Sequence, residues 1–379
     1  MSTASADKLG RLRKLLQADP TNASLRRQCV DLATQTGQYE IVVQLADSAL
    51  AAAPADTRAL FDKATGLIGQ RAYRPALDLL RQLEPAAAAD SAVRMNVALC
   101  CYCLGDFASA KQHLDGCRAV GVKTPGMLRM LVSSCHHLGL LDEAVSIAGE
   151  NEAAASSDAG LAGVFALLYL DADDPLRAAK FAGIALRLNP KSLDGRVTEA
   201  TLLTARAQTE RAQQMLEGVI EDAPTTARAW IGLGSLSLLA QQLAAAKQQL
   251  RRGLELMPEF VGAWQLLGWA QLVSGELSAA AETFERARAL DPDFAETHGG
   301  LATVAAIRGE DQRARELIDT ALRLEQDCLA AQVAQAVLLG RSGRPAQAQE
   351  LIANAVAGLA AKDGIALSKL LLRTHKSRQ

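Results

Sequence analysis

Apolar residues in this chain recur at helical spacing, and the helical stretches themselves recur at a fixed interval. An alanine returns every 34 residues at Ala76, Ala110, Ala144, Ala178, Ala212, Ala246, Ala280, Ala314 and Ala348, with Val42 in the same place one step earlier. A constant self-similarity of this length marks a stacked repeat protein. Counted from position 1 at Ala23, Thr57, Ser91, Pro125, Ala159, Leu193, Ala227, Val261, Ala295 and Leu329, ten units cover residues 23–362 without insertion or deletion.

Within a unit, positions 4, 7, 8 and 11 share one face of a first helix, and positions 20, 24 and 27 share one face of a second. Position 8 is always small or β-branched, from Val30 and Ala64 through Gly234 and Gly268 to Ala336. Small residues at positions 8 and 20 predict a close approach of the two helix backbones. Glycine at position 15 (Gly37, Gly105, Gly139, Gly275, Gly309, Gly343) predicts a left-handed residue closing the first helix. Proline at position 32 (Pro54, Pro190, Pro224, Pro258, Pro292) predicts the stop of the second, because proline disfavours helix in the residue before it.

The unit Val261 to Phe294 carries Trp264, Leu267, Gly268, Gly275, Ala280, Phe284, Ala287 and Pro292, and the preceding unit carries Trp230, Leu233, Gly234, Ala246, Leu250, Gly253 and Pro258. Repeated in register, this pattern resembles the tetratricopeptide repeat family. The period of 34 and the alanine at position 20 set it apart from the related 35-residue pentatricopeptide class, which binds RNA. The resemblance implies an all-α fold, a right-handed superhelix of antiparallel helix pairs. It also implies partner binding in a concave groove lined by the first helices, chiefly through positions 2, 5, 9, 12 and 13. The family's carboxylate clamp of Lys and Asn at positions 5 and 9 is missing. These positions read Arg27/Asp31, Phe61/Thr65, Met95/Leu99, Ile231/Ser235, Gln265/Trp269 and so on.

The flanks predict helices that cover the array. Lys8 to Gln17, in an N-terminal segment 1–22, presents Leu9, Leu12, Leu15 and Leu16 before Pro20; residues 363–379 combine Ile365, Leu367, Leu370, Leu371 and Leu372 with a basic tail. The pattern weakens over residues 84–158. Pro85 arrives early, no proline follows Ala119 at position 32, and Asn151 stands where a small core residue belongs. Second helices here are expected to end early, leaving either a looser connection or a seam where the array bends.

Composition supports helix and narrows function. The chain is 49% hydrophobic but only 4% aromatic, and is rich in good helix formers. Its net charge of −2 argues against nucleic-acid binding, which calls for a basic patch. No leader pattern or apolar span is legible, so no membrane insertion is expected. Seven cysteines without disulfide spacing suit a reducing, cytoplasmic setting.

The groove positions offer apolar surface instead of charge. Ile231, Leu238, Leu239, Trp269, Leu272, Val273 and Ile307 would form one strip over units seven to nine, fitted to a partner helix or extended peptide. Burial of position 12 against the next unit, or self-association into an oligomer, would occupy the same strip. Chemistry is harder to find. Cys103, His136 and His137 form the one metal-like constellation, a basis for a metal- or redox-responsive regulator, but a structural zinc site wants four ligands. Cys29, Cys101, Cys117 and Cys135 fall at core positions, where a free thiol is a small hydrophobe. Asp142-Glu143 and Asp173-Asp174 fall at helix starts, where carboxylates offset the helix dipole. No nucleophile elbow, phosphate loop or HExxH occurs. The chain reads as a non-enzymatic protein-interaction scaffold with no cofactor, or else a self-associating structural subunit of an assembly complex.

Overall fold

The computed structural model describes residues 3–87 and 90–361. The chain divides into two compact units, Met1–Ala144 and Val145–Gln379. The first holds α1 (Thr3–Ala18), α2 (Ala23–Gln35), α3 (Tyr39–Ala52), α4 (Thr57–Gly69), α5 (Tyr73–Ala87), α6 (Ser91–Cys103), α7 (Phe107–Ala119), α8 (Pro125–His137) and the start of α9 (Leu141–Glu150). The second continues with α10 (Glu152–Ala155), α11 (Ala159–Asp171), α12 (Pro175–Leu188), α13 (Leu193–Ala205), α14 (Thr209–Asp222), α15 (Ala227–Leu239) and α16 (Leu243–Leu256). It ends with α17 (Val261–Val273), α18 (Leu277–Leu290), α19 (Ala295–Arg308), α20 (Asp311–Leu324), α21 (Leu329–Arg341) and α22 (Pro345–Ala361). From α2 onward every first helix starts at position 1 of its repeat and every second helix at position 17. The fold among the described residues is all helix.

The turn inside each repeat follows one rule. The position-16 amide donates to the position-11 carbonyl at 2.8–3.0 Å in all ten repeats, from Gln38 to Ala33 through Arg344 to Leu339. That bond closes the first helix over a left-handed residue. The six position-15 glycines have φ between +70° and +84°. In the other four repeats position 15 is Arg71, Asp173, Ala207 or Gln241, each with φ of 58–61°; among the described residues these are the non-glycine residues with positive φ. The turn is therefore imposed by the packing of the helix pair, and glycine only makes it cheaper.

Helix starts are capped in two styles. At position 34, Asn22, Asp56, Asp90, Asp158 and Ser192 accept hydrogen bonds from amides of the following first helix, as does Thr124 before α8. Before α17 and α19 that position is the buried Phe260 and Phe294, with no side-chain cap. There the ring at position 4 ties the helix down instead. Trp264 Nε1 donates to the Pro258 carbonyl at 2.7 Å, and His298 Nε2 lies 2.7 Å from the Pro292 carbonyl. Trp230 makes the same bond to Pro224 at 2.8 Å. The tryptophan and proline of the pattern are thus partners across the repeat boundary. Proline is not needed for the stop itself: α20 ends at position 30 like its neighbours, with Gln326 at position 32.

The position-20 residues from Val42 to Ala314 are fully buried. Their position-8 counterparts meet a different neighbour from the one expected. A β-carbon on Gly234 would lie 2.6 Å from Leu250 Cγ, and one on Gly268 would lie 2.5 Å from the Phe284 ring. Position 8 is small because it receives the position-24 side chain. At the N-terminal end, Leu9 and Leu16 of α1 join Cys29, Val30, Ala33 and Val42 in one core cluster.

The weak stretch of the pattern departs from expectation in part. Helix α5 does not end early; it runs through position 85 to Ala87. Helix α7 ends at Ala119, where Gly121 at φ +85° closes it and the Val122 amide donates to the Cys117 carbonyl at 3.1 Å. Helix α9 does end early. Asn151 is buried and its Nδ2 donates to the Ile147 carbonyl at 2.7 Å, and the chain restarts as the short α10. The division between the two units falls inside α9. The expected C-terminal helix over 363–379 lies outside the described residues.

Candidate functional site

In repeats eight and nine the first helices bury positions 2 and 5 of the face expected to line the groove. Gln265, at position 5, is fully buried and its Nε2 donates to the Glu296 carbonyl at 2.9 Å. Glu296, at position 2, turns its carboxylate onto the start of α21 and accepts from the amides of Leu329 and Ala330, both at 3.0 Å. Burial pushes the Glu296 carboxyl up from its ordinary range, and the two amide bonds oppose that shift. Gly299, at position 5, lies so close to α21 that a β-carbon would meet Ala330 Cβ and the Ala331 amide nitrogen at 2.5 Å. Helix α19 is buried from Ala295 to Ala306 without a break. Helix packing thus consumes positions 2, 5 and 9 of the ninth repeat.

This packing divides the seven strip residues. Ile231 is 4% exposed and belongs to the core, since its Cγ1 fills the space above Gly253; this residue is removed from the proposed surface. Leu238, Trp269 and Leu272 are half-buried. The Trp269 ring stands edge-on to Phe284 at 5.8 Å between centroids, and its buried Nε1 has no hydrogen-bond partner. Leu239, Val273 and Ile307 are exposed at 42%, 60% and 37%. All three occupy position 13, at the C-terminal end of α15, α17 and α19. What remains open is therefore one position repeated three times.

The same position is built differently in the first unit, where Cys103 and His137 are exposed too but are not aliphatic and each lies beside an aromatic ring. Position 13 there meets the aromatic residue at position 17 of the preceding repeat. The Tyr39 ring occupies the space above Gly69, where a β-carbon would overlap it. The Tyr73 side chain lies beside Cys103, and the Phe107 ring stacks on His137 at 4.0 Å and 3°. In the last repeats Asp311 pairs with Arg341 at 3.7 Å. Position 17 opposite Leu239, Val273 and Ile307 is Thr209, Leu243 and Leu277, none of them aromatic.

Cys103 and His137 of the metal-like constellation lie beside aromatic side chains, Tyr73 and Phe107 respectively. Among the described residues no three ligating side chains come together around a possible metal site. The buried thiols are held protonated: burial pushes both Cys100 and Cys135 up to about 12. The Asp173-Asp174 pair is structural, with Asp174 capping α12 through the Arg177 amide at 2.9 Å. A cleft of about 650 Å³ opens between α20, α21 and α22, lined by Ile318, Leu338, Leu339 and Leu351 among charged residues, away from the strip. Among the described residues no helix is long and apolar enough to cross a membrane.

Two family models, both described as tetratricopeptide repeat, match residues 197–259 and 237–303. No curated protein sequence matches significantly. Among solved structures, the crystal structure of the APC/C hetero-tetramer Cut9-Hcn1 is similar over 96% of this chain and 89% of that one, with a TM-score of 0.53 and 15% identity. A tetratricopeptide repeat protein from Parabacteroides merdae aligns over 70% of this chain and 98% of its own, at a TM-score of 0.46 and 16% identity. MamA from Desulfovibrio magneticus RS-1 aligns over 44% and 95%, at 0.36 and 21%. At 15% identity the likeness to the Cut9-Hcn1 structure is one of fold alone.

Proposed function

Because the chain belongs to the tetratricopeptide repeat family, whose fold typically serves as a non-catalytic scaffold, we propose that it is a protein-interaction scaffold. The proposed docking surface is the row Leu239, Val273 and Ile307. The observation that carries this reading is the exposure of a large aliphatic side chain at one position in three consecutive repeats, where the first unit has Gly69, Cys103 and His137, each beside an aromatic ring. A repeated apolar edge suits a partner that presents apolar side chains at regular intervals, either an amphipathic helix or an extended peptide.

Each exposed side chain would contribute roughly 1 kcal/mol on burial, since full burial of such residues is worth ~1.5–3 kcal/mol. Three such side chains alone give weak binding. The half-buried Leu238, Trp269 and Leu272 beneath them would supply the rest of the apolar floor.

The test compares proteins captured by the wild type with those captured by Val273→Glu, alongside helicity by circular dichroism. A charge at this exposed site should leave the fold intact and weaken capture on the order of tenfold or more. A captured set identical to that of the wild type would remove the row from the proposal. Loss of concentration-dependent self-association in the variant, with no other protein lost, would assign the row to contacts between copies.

A further inference from the structure

Arg228 and Asp171 form a bidentate ion pair between helices that are not neighbours. Arg228 Nη1 donates to Asp171 Oδ1 at 3.0 Å and Nη2 donates to Oδ2 at 2.6 Å. Asp171 is the last residue of α11, in the fifth repeat, and Arg228 is the second residue of α15, in the seventh. The bond therefore crosses the sixth repeat, whose first helix α13 lies between them in the chain. Few exposed ion pairs are ordered this way, but this one is desolvated: the side chains are 14% and 0% exposed. The Arg228 guanidinium also lies over the Phe260 ring at 5.3 Å, and Asp194, at position 2 of the sixth repeat, adds its charge to the same field.

The local packing fits a fastening. Gly163 in α11 leaves room for Asp194, with a β-carbon there 3.0 Å from Asp194 Cβ. Val197, at position 5 of α13, is buried although that position belongs to the face that the family uses for its groove. A planar guanidinium held by both carboxylate oxygens fixes orientation as well as distance. A buried pair of this kind is a poor source of net stability, because desolvation offsets its attraction. Its effect lies in geometry.

We propose that Asp171 and Arg228 are a clasp that closes the first-helix face over the sixth repeat and sets the spacing between repeats five and seven. The array then has a stretch whose curvature is held by one ion pair, and a partner reaching that face must open the pair or dock beyond it.

The test uses the full chain in a Cys103→Ser background, with spin labels at the exposed positions Leu176→Cys on α12 and Arg251→Cys on α16. Three forms are compared: wild-type pair, Asp171→Ala with Arg228→Ala, and the reversed pair Asp171→Arg with Arg228→Asp. The double alanine form should keep its helicity while the label distance lengthens and broadens. Amides of α13 should exchange roughly tenfold faster, as expected when one coupling interaction is lost. The reversed pair should restore both readouts toward the wild type. An unchanged distance and unchanged exchange in the double alanine form would overturn the clasp. So would failure of the reversed pair to restore them, or loss of helicity in both variants, since each assigns the effect to packing.

Discussion

At the scale of single residues, the recurring turn shows what the fold demands and what the sequence merely eases. Ala207 sits at φ +58° in the place where other repeats carry glycine. A left-handed alanine costs roughly 1–2 kcal/mol, part of which glycine gives back through its freer unfolded chain. Ala207→Gly should therefore stabilise the protein by about 1 kcal/mol, read as a higher urea midpoint at unchanged slope. Asp106 makes a second case. Its bonds to Ser109, backbone first, hold its carboxyl below the ordinary carboxylate range. A depressed folded pKa gives stability that is full above about pH 4 and lost as pH falls through the folded value. Asp106→Ala should lose about 1 kcal/mol at neutral pH, and the difference from wild type should vanish in acid. Six position-15 glycines made this turn legible in the sequence; the four substitutes could be recognised only by assuming that the register never slips.

At the scale of elements, register was legible and neighbours were not. The alanine period placed the start of each first and second helix, because only a small residue fits where closely packed helices meet. It did not show that position 8 receives the position-24 side chain, nor that α19 would be buried from Ala295 to Ala306. Glu296 and Thr303 fall at groove positions 2 and 9 in sequence, yet both are buried. The signal that would have found the cap positions was present: Asn22, Asp56, Asp90, Thr124, Asp158 and Ser192 form a column of N-cap residues at position 34. Pro85 misled in the other direction, since α5 continues through it. The closeness of α19 to α21 makes a sharp prediction. Gly299→Ala would push a methyl group into the backbone of Ala330 and Ala331, which cannot yield as a side chain can. It should cost ~1–3 kcal/mol. Gly340→Ala in α21, with nothing within 4 Å, should instead gain about 0.4–1 kcal/mol. Thermal melts of the pair read both signs in one comparison.

At the scale of the molecule, a protein with many similar repeats acquires function where the repeats differ. The first unit sets an aromatic residue, Tyr39, Tyr73 or Phe107, beside Gly69, Cys103 and His137 at position 13, and offers no large aliphatic side chain there. Repeats seven to nine leave Leu239, Val273 and Ile307 exposed. Sequence reading found that row but embedded it in a wider strip, because periodicity assigns a residue to a face without showing how closely the next helix approaches. The most direct measurement is hydrogen exchange of the full chain with and without a captured partner. The scaffold account predicts protection concentrated at the ends of α15, α17 and α19, around Leu239, Val273 and Ile307, and its loss with Val273→Glu. Protection confined to other helices, with those three ends exchanging as in the free protein, would contradict it.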